Sequence, residues 1–272
     1  MKLNNIKSRW SENKTVLNGW LSIGNAFSAE IMSQQGYDSL TIDLQHGFVG
    51  YDDAKTMLQA MRASGVAPMV RVPWLEPGII MKALDAGAWG IICPMVNNAE
   101  QAQQLVSFVR YPPDGSRSFG PTRVSISEGV DYGQYADEYV VCLAMIETAE
   151  AFKNLEEIVA TPGLDGVYIG PADLTLGLTG RKYRTGFDRD EPEIVEAIKH
   201  IAATAHRAGK KAGLHNGSAA YAAKAAEWGF DLVTVSNDVQ LLRTSASASV
   251  QQFRELNEGT SVDKRSAQTG GY

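Results

Sequence analysis

Short apolar runs alternate along the chain with amphipathic stretches, and most junctions carry a glycine. The runs fall at residues 17–23, 39–43, 68–72, 90–95, 140–147, 166–170, 211–215 and 232–236. They are nearly continuous rather than alternating, which predicts parallel strands buried on both faces. Between them, Ala54, Met57, Leu58 and Met61 share one helical face, as do Ile194, Val195, Ile198, Ile201 and Ala205. Gly36, Gly65, Gly87, Gly209 and Gly229 each stand between a helical pattern and a strand, where a left-handed residue stops the helix. Pro77 and Pro192 suit first turns, Asp52 or Asp53 and Ser218 suit caps, and Asn97 or Asn98 precedes the helix carrying Leu105, Val106 and Val109.

Eight strand-helix units in 272 residues predict a single α/β domain, a (β/α)8 TIM barrel over residues 1–256. Two stretches break the pattern. Residues 111–139 read as a long Gly/Pro/Arg-rich connection, a length that is commonly functional or oligomer-forming. The tail, 257–272, is polar and is expected to be disordered or to dock on a neighbouring subunit.

The net charge of -6, with no Lys/Arg cluster, argues against a nucleic-acid partner and for a small-molecule substrate. The first ten residues lack the apolar core of a signal peptide, and no run approaches the roughly 18 apolar residues of a membrane span. A cytoplasmic protein with no membrane partner is the expectation. Cys93 and Cys142 lie inside predicted strands, so they read as buried thiols with no catalytic role.

The carboxyl ends of barrel strands are where such folds place their chemistry. There the sequence presents Trp20, Asp43 to His46, Arg71, Pro94 and Met95, Glu147, Asp173, Leu214 and His215, and Ser236 to Asp238. Glu147 and Asp173, on successive strands, form a candidate site for a hard divalent cation such as Mg2+ or Mn2+, with open positions for a chelating substrate. Two structural alternatives stand beside this reading: Glu147 pairing with Arg71, and Asp173 capping the turn after it. The Gly170-Pro-Ala-Asp173 turn also offers backbone N–H groups at a helix start, suited to a carboxylate. His46, with Asp43 or Asp85 to orient its ring, is a candidate general base, and His215 is a weaker rival. Arg71 suits an oxygen that becomes negative during reaction, or a salt bridge to a strand-end acid. No lysine stands at a strand's carboxyl end, which argues against Schiff-base catalysis. No Gly-x-Gly-x-x-Gly fingerprint or Gly-x-Ser-x-Gly elbow occurs, so nucleotide oxidoreductase and serine hydrolase chemistry lose support.

Taken together, Asp43-Leu-Gln-His46, Arg71, Leu84-Asp-Ala-Gly-Ala-Trp-Gly-Ile-Ile-Cys-Pro-Met95, Tyr111-Pro-Pro-Asp-Gly, Ile146-Glu-Thr and Tyr168-Ile-Gly-Pro-Ala-Asp-Leu174 make residues 15–255 closely resemble the HpcH/HpaI aldolase family. The resemblance implies a metal-dependent class II aldolase using Mg2+, Mn2+ or Co2+. Its reaction would be reversible cleavage of a 4-hydroxy-2-oxo acid to pyruvate or hydroxypyruvate and an aldehyde. By the same resemblance, Glu147 and Asp173 are the metal ligands, His46 is the base assisted by Asp85, and Arg71 stabilises the enolate. The Ala172 and Asp173 backbone holds the substrate carboxylate, Trp20 and Leu214 line the pocket, and the subunits form a hexamer, a trimer of dimers exchanging their last helix. Gln45 stands where Glu is usual, Met145 where Gln is usual, and Ser118 where Gly is frequent; loss of the polar Gln at Met145 suggests an altered donor preference. Arg117 and Arg123 suit either a distal acid group of the substrate or an interface. The alternatives are oxaloacetate decarboxylation at the same site and a noncatalytic oxo-acid-binding barrel.

Overall fold

The computed structural model describes residues 4–258. Eight parallel strands close on themselves in sequence order: β1 (Val16–Leu21), β2 (Ser39–Asp43), β3 (Ala67–Arg71), β4 (Gly90–Cys93), β5 (Val141–Ile146), β6 (Gly166–Ile169), β7 (Lys211–Asn216) and β8 (Leu232–Val235). Each expected run overlaps one of them, within one residue at its start, so the (β/α)8 reading holds. The five glycines expected to stop helices all have positive φ, from 71° at Gly209 to 104° at Gly87. Ser218 and Asn98 cap as expected. At the helix Tyr51–Ala60, however, the cap is Gly50, and Asp53 reaches back to accept from its N–H at 2.8 Å.

Alternation along each strand separates two cores. Val16, Trp20, Met69, Ile92, Leu143, Met145, Tyr168 and Leu232 fill the barrel interior. Their strand neighbours, such as Leu21, Val70, Ile91, Ala144, Ile146, Ile169 and Val233, pack outward against the helices. The amino-terminal helix Asn5–Ser11 adds Ile6 and Trp10 to the interior cluster. Trp10 Nε1 donates to the carbonyl of Asp231, just before β8, at 2.9 Å, so this helix plugs the end of the barrel where strands begin. Burying those two side chains contributes roughly 1.5–3 kcal/mol each. The opposite end is left for chemistry.

The connection after β4 corrects the sequence reading. Residues 111–139 are not a plain loop but carry two helices, Thr122–Glu128 and Tyr132–Tyr139. Tyr132, Tyr135 and Tyr139 lie on one face and meet edge to edge, with centroids 5.7–6.5 Å apart. That aromatic face supplies the burial that Gly- and Pro-rich flanks conceal in sequence. The last helix runs Asp238–Glu258, past residue 256, and residues 259–272 of the polar tail lie outside the described residues. Cys93 and Cys142 are free and buried, and burial pushes both thiols up. Among the described residues no helix is long and apolar enough to cross a membrane.

Candidate active site

Glu147 follows Ile146 at the end of β5, and alternation turns its side chain inward, where it is 2% exposed. Its Oε1 accepts from the Met95 N–H at 2.8 Å. Met95 reaches that position with φ of 56°, a conformation that costs a non-glycine residue about 1 kcal/mol or more. Strain at the end of β4 is thus spent on aiming one amide at a carboxylate. Burial pushes the Glu147 carboxyl up to about 7; the Met95 amide opposes this, Asp173's charge adds to it, and Arg71 opposes it. Behind the carboxylate lies Gly170, where a Cβ would sit 2.5 Å from Glu147 Oε2. Only glycine leaves that oxygen its place.

Gly170 also caps the helix Pro171–Thr179, with proline in its first turn. The first amide bonded back to the cap is that of Leu174, to the Gly170 carbonyl at 3.0 Å. The N–H groups of Ala172 and Asp173 therefore open at the helix start, where an anion is favoured. Asp173 itself is exposed in the first turn, and it makes no side-chain cap. Among the described residues no group of three or more His, Cys, Asp or Glu gathers in a metal-binding cluster. The arrangement is a buried carboxylate, a second acid close enough to be felt by it, and open amides beside both. Such hard oxygen donors, with one carboxylate destabilised by burial and a like charge, fit a divalent cation.

Across the mouth, Asp43, expected from sequence to orient the His46 ring, is instead a hub for other groups. It ends β2, opposite Arg71 in the sheet register. Arg71 Nε donates to Asp43 Oδ1 at 2.9 Å and Nη2 to Oδ2 at 2.7 Å, a bidentate pair in which the arginine side chain is 11% exposed. Trp20 Nε1 donates to Oδ2 at 3.1 Å, and the amides of Gln45 and His46 donate to Oδ1 at 3.1 and 3.2 Å. Burial pushes the Asp43 carboxyl up, but Arg71, Trp20 and the His46 amide outweigh it and hold it below the usual aspartate range. The guanidinium lies 4.9 Å over the Trp20 ring. So of the two readings of Arg71, the salt bridge is made, to Asp43 rather than Glu147, and it leaves Nη1 for a further acceptor.

His46 sits in the turn after β2 as an exposed residue. Asp43 binds its backbone rather than its ring. Asp85, at the end of the helix Pro77–Asp85, accepts from Arg117 Nη2 at 2.6 Å, and among the described residues it makes no hydrogen bond to His46. Arg117 is fully buried over the Tyr111 ring at 4.4 Å, so it fastens the segment after the helix Ala99–Val109 to the barrel. Leu214 is likewise displaced from the sequence reading. It packs in the outer core with the helices, and the β7 residue that reaches the interior is His215, edge-on to Trp20 at 4.7 Å. A one-residue step along a strand changes its face.

Fold and site together define a barrel enzyme whose carboxyl-end mouth gathers two acids, a clamped arginine and an exposed histidine. The HpcH/HpaI aldolase/citrate lyase family model matches residues 17–243, and the chain belongs to that family. It is similar to a hydroxypyruvate/pyruvate aldolase of Rhizorhabdus wittichii, 42% identical over 93% of this chain and 100% of the relative. It is also similar to a 4-hydroxy-2-oxo-heptane-1,7-dioate aldolase of Salmonella dublin, 36% identical over 86% of this chain and 88% of that one. A crystal structure of a family member from Burkholderia cenocepacia superposes with a TM-score of 0.84 at 32% identity, covering 92% of this chain and 99% of the other. The protein is accordingly a carbon–carbon lyase of the aldolase type.

Proposed function

We propose that this enzyme cleaves a 4-hydroxy-2-oxo acid reversibly to an aldehyde and pyruvate or hydroxypyruvate, with one divalent cation, Mg2+, Mn2+ or Co2+, held by Glu147 and Asp173. The observation that carries the reading is the buried Glu147 carboxylate aimed by Met95 beside Asp173, with open amides next to it. The cation would supply Lewis-acid withdrawal of electrons from the 2-oxo group of the donor. The Ala172 and Asp173 amides bind the substrate carboxylate at the positive end of their helix. Arg71, oriented by Asp43 and backed by Trp20, presents Nη1 to the 2-oxo oxygen as charge develops there during cleavage of the C3–C4 bond. His46 takes the proton from the C4 hydroxyl as the aldehyde forms and returns one in the reverse direction. Trp20 keeps water from the reacting carbons.

Two outcomes test this assignment. His46→Ala is expected to lower aldol cleavage about 10²–10⁴-fold while leaving Mn2+ affinity nearly intact. Oxaloacetate decarboxylation, which needs no base at C4, should fall far less in the same variant. Equal losses on both substrates would remove His46 from proton transfer. Gly170→Ala should fold, because its φ of -94° suits alanine, yet its methyl would displace Glu147 Oε2. Mn2+ affinity is expected to fall about 10-fold or more by calorimetry; unchanged affinity would show that Oε2 is not a ligand.

The reading extends to a homo-oligomer, a hexamer built as a trimer of dimers. Supporting it, the helix Asp238–Glu258 leaves Leu242, Val250, Phe253 and Leu256 exposed at 63%, 51%, 62% and 82%. An apolar stripe of that kind is stabilised by a covering surface.

A further inference from the structure

Below the acids and the arginine, the barrel interior holds a polar chain that the reaction described above does not use. Asn18 Oδ1 in β1 accepts from the hydroxyls of Ser39 and Thr41 at 2.8 and 3.1 Å, which fixes its amide. Asn18 Nδ2 then donates to Thr234 Oγ1 in β8 at 2.9 Å. Thr234 Oγ1 lies 2.7 Å from Tyr168 Oη, and Tyr168 Oη lies 3.0 Å from His215 Nδ1. Asn18, Thr234 and Tyr168 are all 0% exposed, so each hydroxyl proton needs an acceptor inside the protein. One polarity satisfies them all: Thr234 donates to Tyr168, and Tyr168 donates to His215 Nδ1. The opposite polarity leaves the Thr234 proton without an acceptor. The His215 proton is therefore on Nε2.

The ring that carries this proton is held on both sides. Trp20 meets it edge-on at 4.7 Å, and Phe187, from the segment after the helix Pro171–Thr179, lies 4.5 Å away. That segment is itself pinned. Gly217 N–H donates to Asp188 at 2.7 Å, and Tyr221 Oη donates to the Arg189 carbonyl at 2.6 Å. Burial and then the nearby Arg71 charge hold the imidazolium down to about 3, against Asp43, so the ring is neutral at working pH.

We infer that His215 Nε2–H is a preset hydrogen-bond donor for an oxygen on C3 of the 2-oxo acid, so that the site favours a hydroxypyruvate-type donor over pyruvate. This rests on the aldolase reading. In that reading the carboxylate and the 2-oxo oxygen are engaged from β3, β5 and β6, which leaves C3 to face the wall made by β7 and β1. On that wall Trp20 and Phe187 are apolar, and His215 supplies the polar edge. A methyl group placed there leaves a desolvated N–H unpaired, whereas a hydroxyl satisfies it. Sites built to hydrogen-bond a hydroxyl reject the analogue lacking it more strongly than apolar sites reject an added hydroxyl. Tyr168 is a positioning residue: it acts by fixing the tautomer.

The test pairs kinetics with imidazole 15N NMR. Hydroxypyruvate and pyruvate are compared as donors with one common aldehyde, in the wild type, His215→Phe, His215→Gln and Tyr168→Phe. The wild-type spectrum is expected to show a neutral His215 protonated at Nε2, and Tyr168→Phe to mix the two tautomers. His215→Phe should lower kcat/KM for hydroxypyruvate about 10–100-fold more than for pyruvate. His215→Gln, whose amide can donate, should recover part of that difference. Should His215→Phe not fold, the Tyr168→Phe spectrum and its donor ratio, expected to fall a few-fold, decide the matter. An unchanged donor ratio with pyruvate still turned over, or a wild-type proton on Nδ1, overturns the His215 assignment alone. A wild type that releases neither donor overturns the aldolase reading and this inference with it.

Discussion

Glu147→Ala and Asp173→Ala are each expected to abolish pyruvate release, lowering turnover by about 10³-fold or more, and to remove Mn2+ binding. The size follows from the chemistry of the donor set. With two carboxylates proposed as ligands and no group of three or more acids, histidines or cysteines that could hold a metal among the described residues, each acid would be half of the protein's grip. The two variants should differ in stability. Asp173 is exposed, so its loss should leave the fold within about 0.5 kcal/mol of the wild type. Glu147 is buried with a carboxyl that burial disfavours in its charged form, so its replacement relieves that cost while freeing the Met95 amide it satisfied. A metal-free Glu147→Ala protein that unfolds no more readily than metal-free wild type, yet is inactive, separates function from folding. Retained turnover in either variant would contradict the ligand assignment.

The second large effect is expected at a residue that touches no reacting atom. Asp43→Ala removes the acceptor for Arg71, Trp20 and the amides of Gln45 and His46 at once. A mostly buried guanidinium is left unpaired, which costs about 3–5 kcal/mol of stability. Turnover should fall about 10²–10³-fold because Nη1 of Arg71 is no longer aimed and the turn carrying His46 is released. Denaturant titration and steady-state kinetics check the two parts separately. The Asp43 carboxyl is held below its ordinary value near 3.8, so the pair's stabilisation is fully present above that pH and is lost as pH falls through the lower, folded value. Asp43→Asn should therefore flatten the wild type's acid-induced loss of stability below about pH 4. Asp43→Ala with an unchanged midpoint and unchanged kcat would show that Arg71 is positioned by something else.

The barrel was legible because its strands are buried on both faces and bounded by glycines at the turns, so both the length and the spacing of the apolar runs reported their number. Their ends were legible for the same reason: a lone Glu or Asp closing such a run has few structural explanations. What escaped was whatever depends on which face a residue takes or on what lies beside it in another strand. Leu214 and His215 are neighbours in sequence, and only the register with β6 and β8 assigns the inner face to His215. Asp43 read as an orienter for the His46 ring because the two are close in sequence; the pairing of Asp43 with Arg71 across the sheet redirects it. Asp85 was taken by Arg117, whose burial no local pattern in a Gly/Pro-rich stretch announces. The helix Tyr132–Tyr139 escaped because its burial comes from tyrosines packed against one another rather than from helix propensity, and Thr122–Glu128 because it is seven residues long with Val124 as its buried residue.

The most direct measurement is an EPR titration of Mn2+ into EDTA-dialysed protein, followed in parallel with pyruvate release from a 4-hydroxy-2-oxo acid. The account predicts about one bound ion per chain, activity that is absent after dialysis and returns in proportion to the bound ion, and neither signal in Glu147→Ala or Asp173→Ala. Full velocity after exhaustive dialysis, or undiminished Mn2+ binding when both acids are replaced, would contradict it.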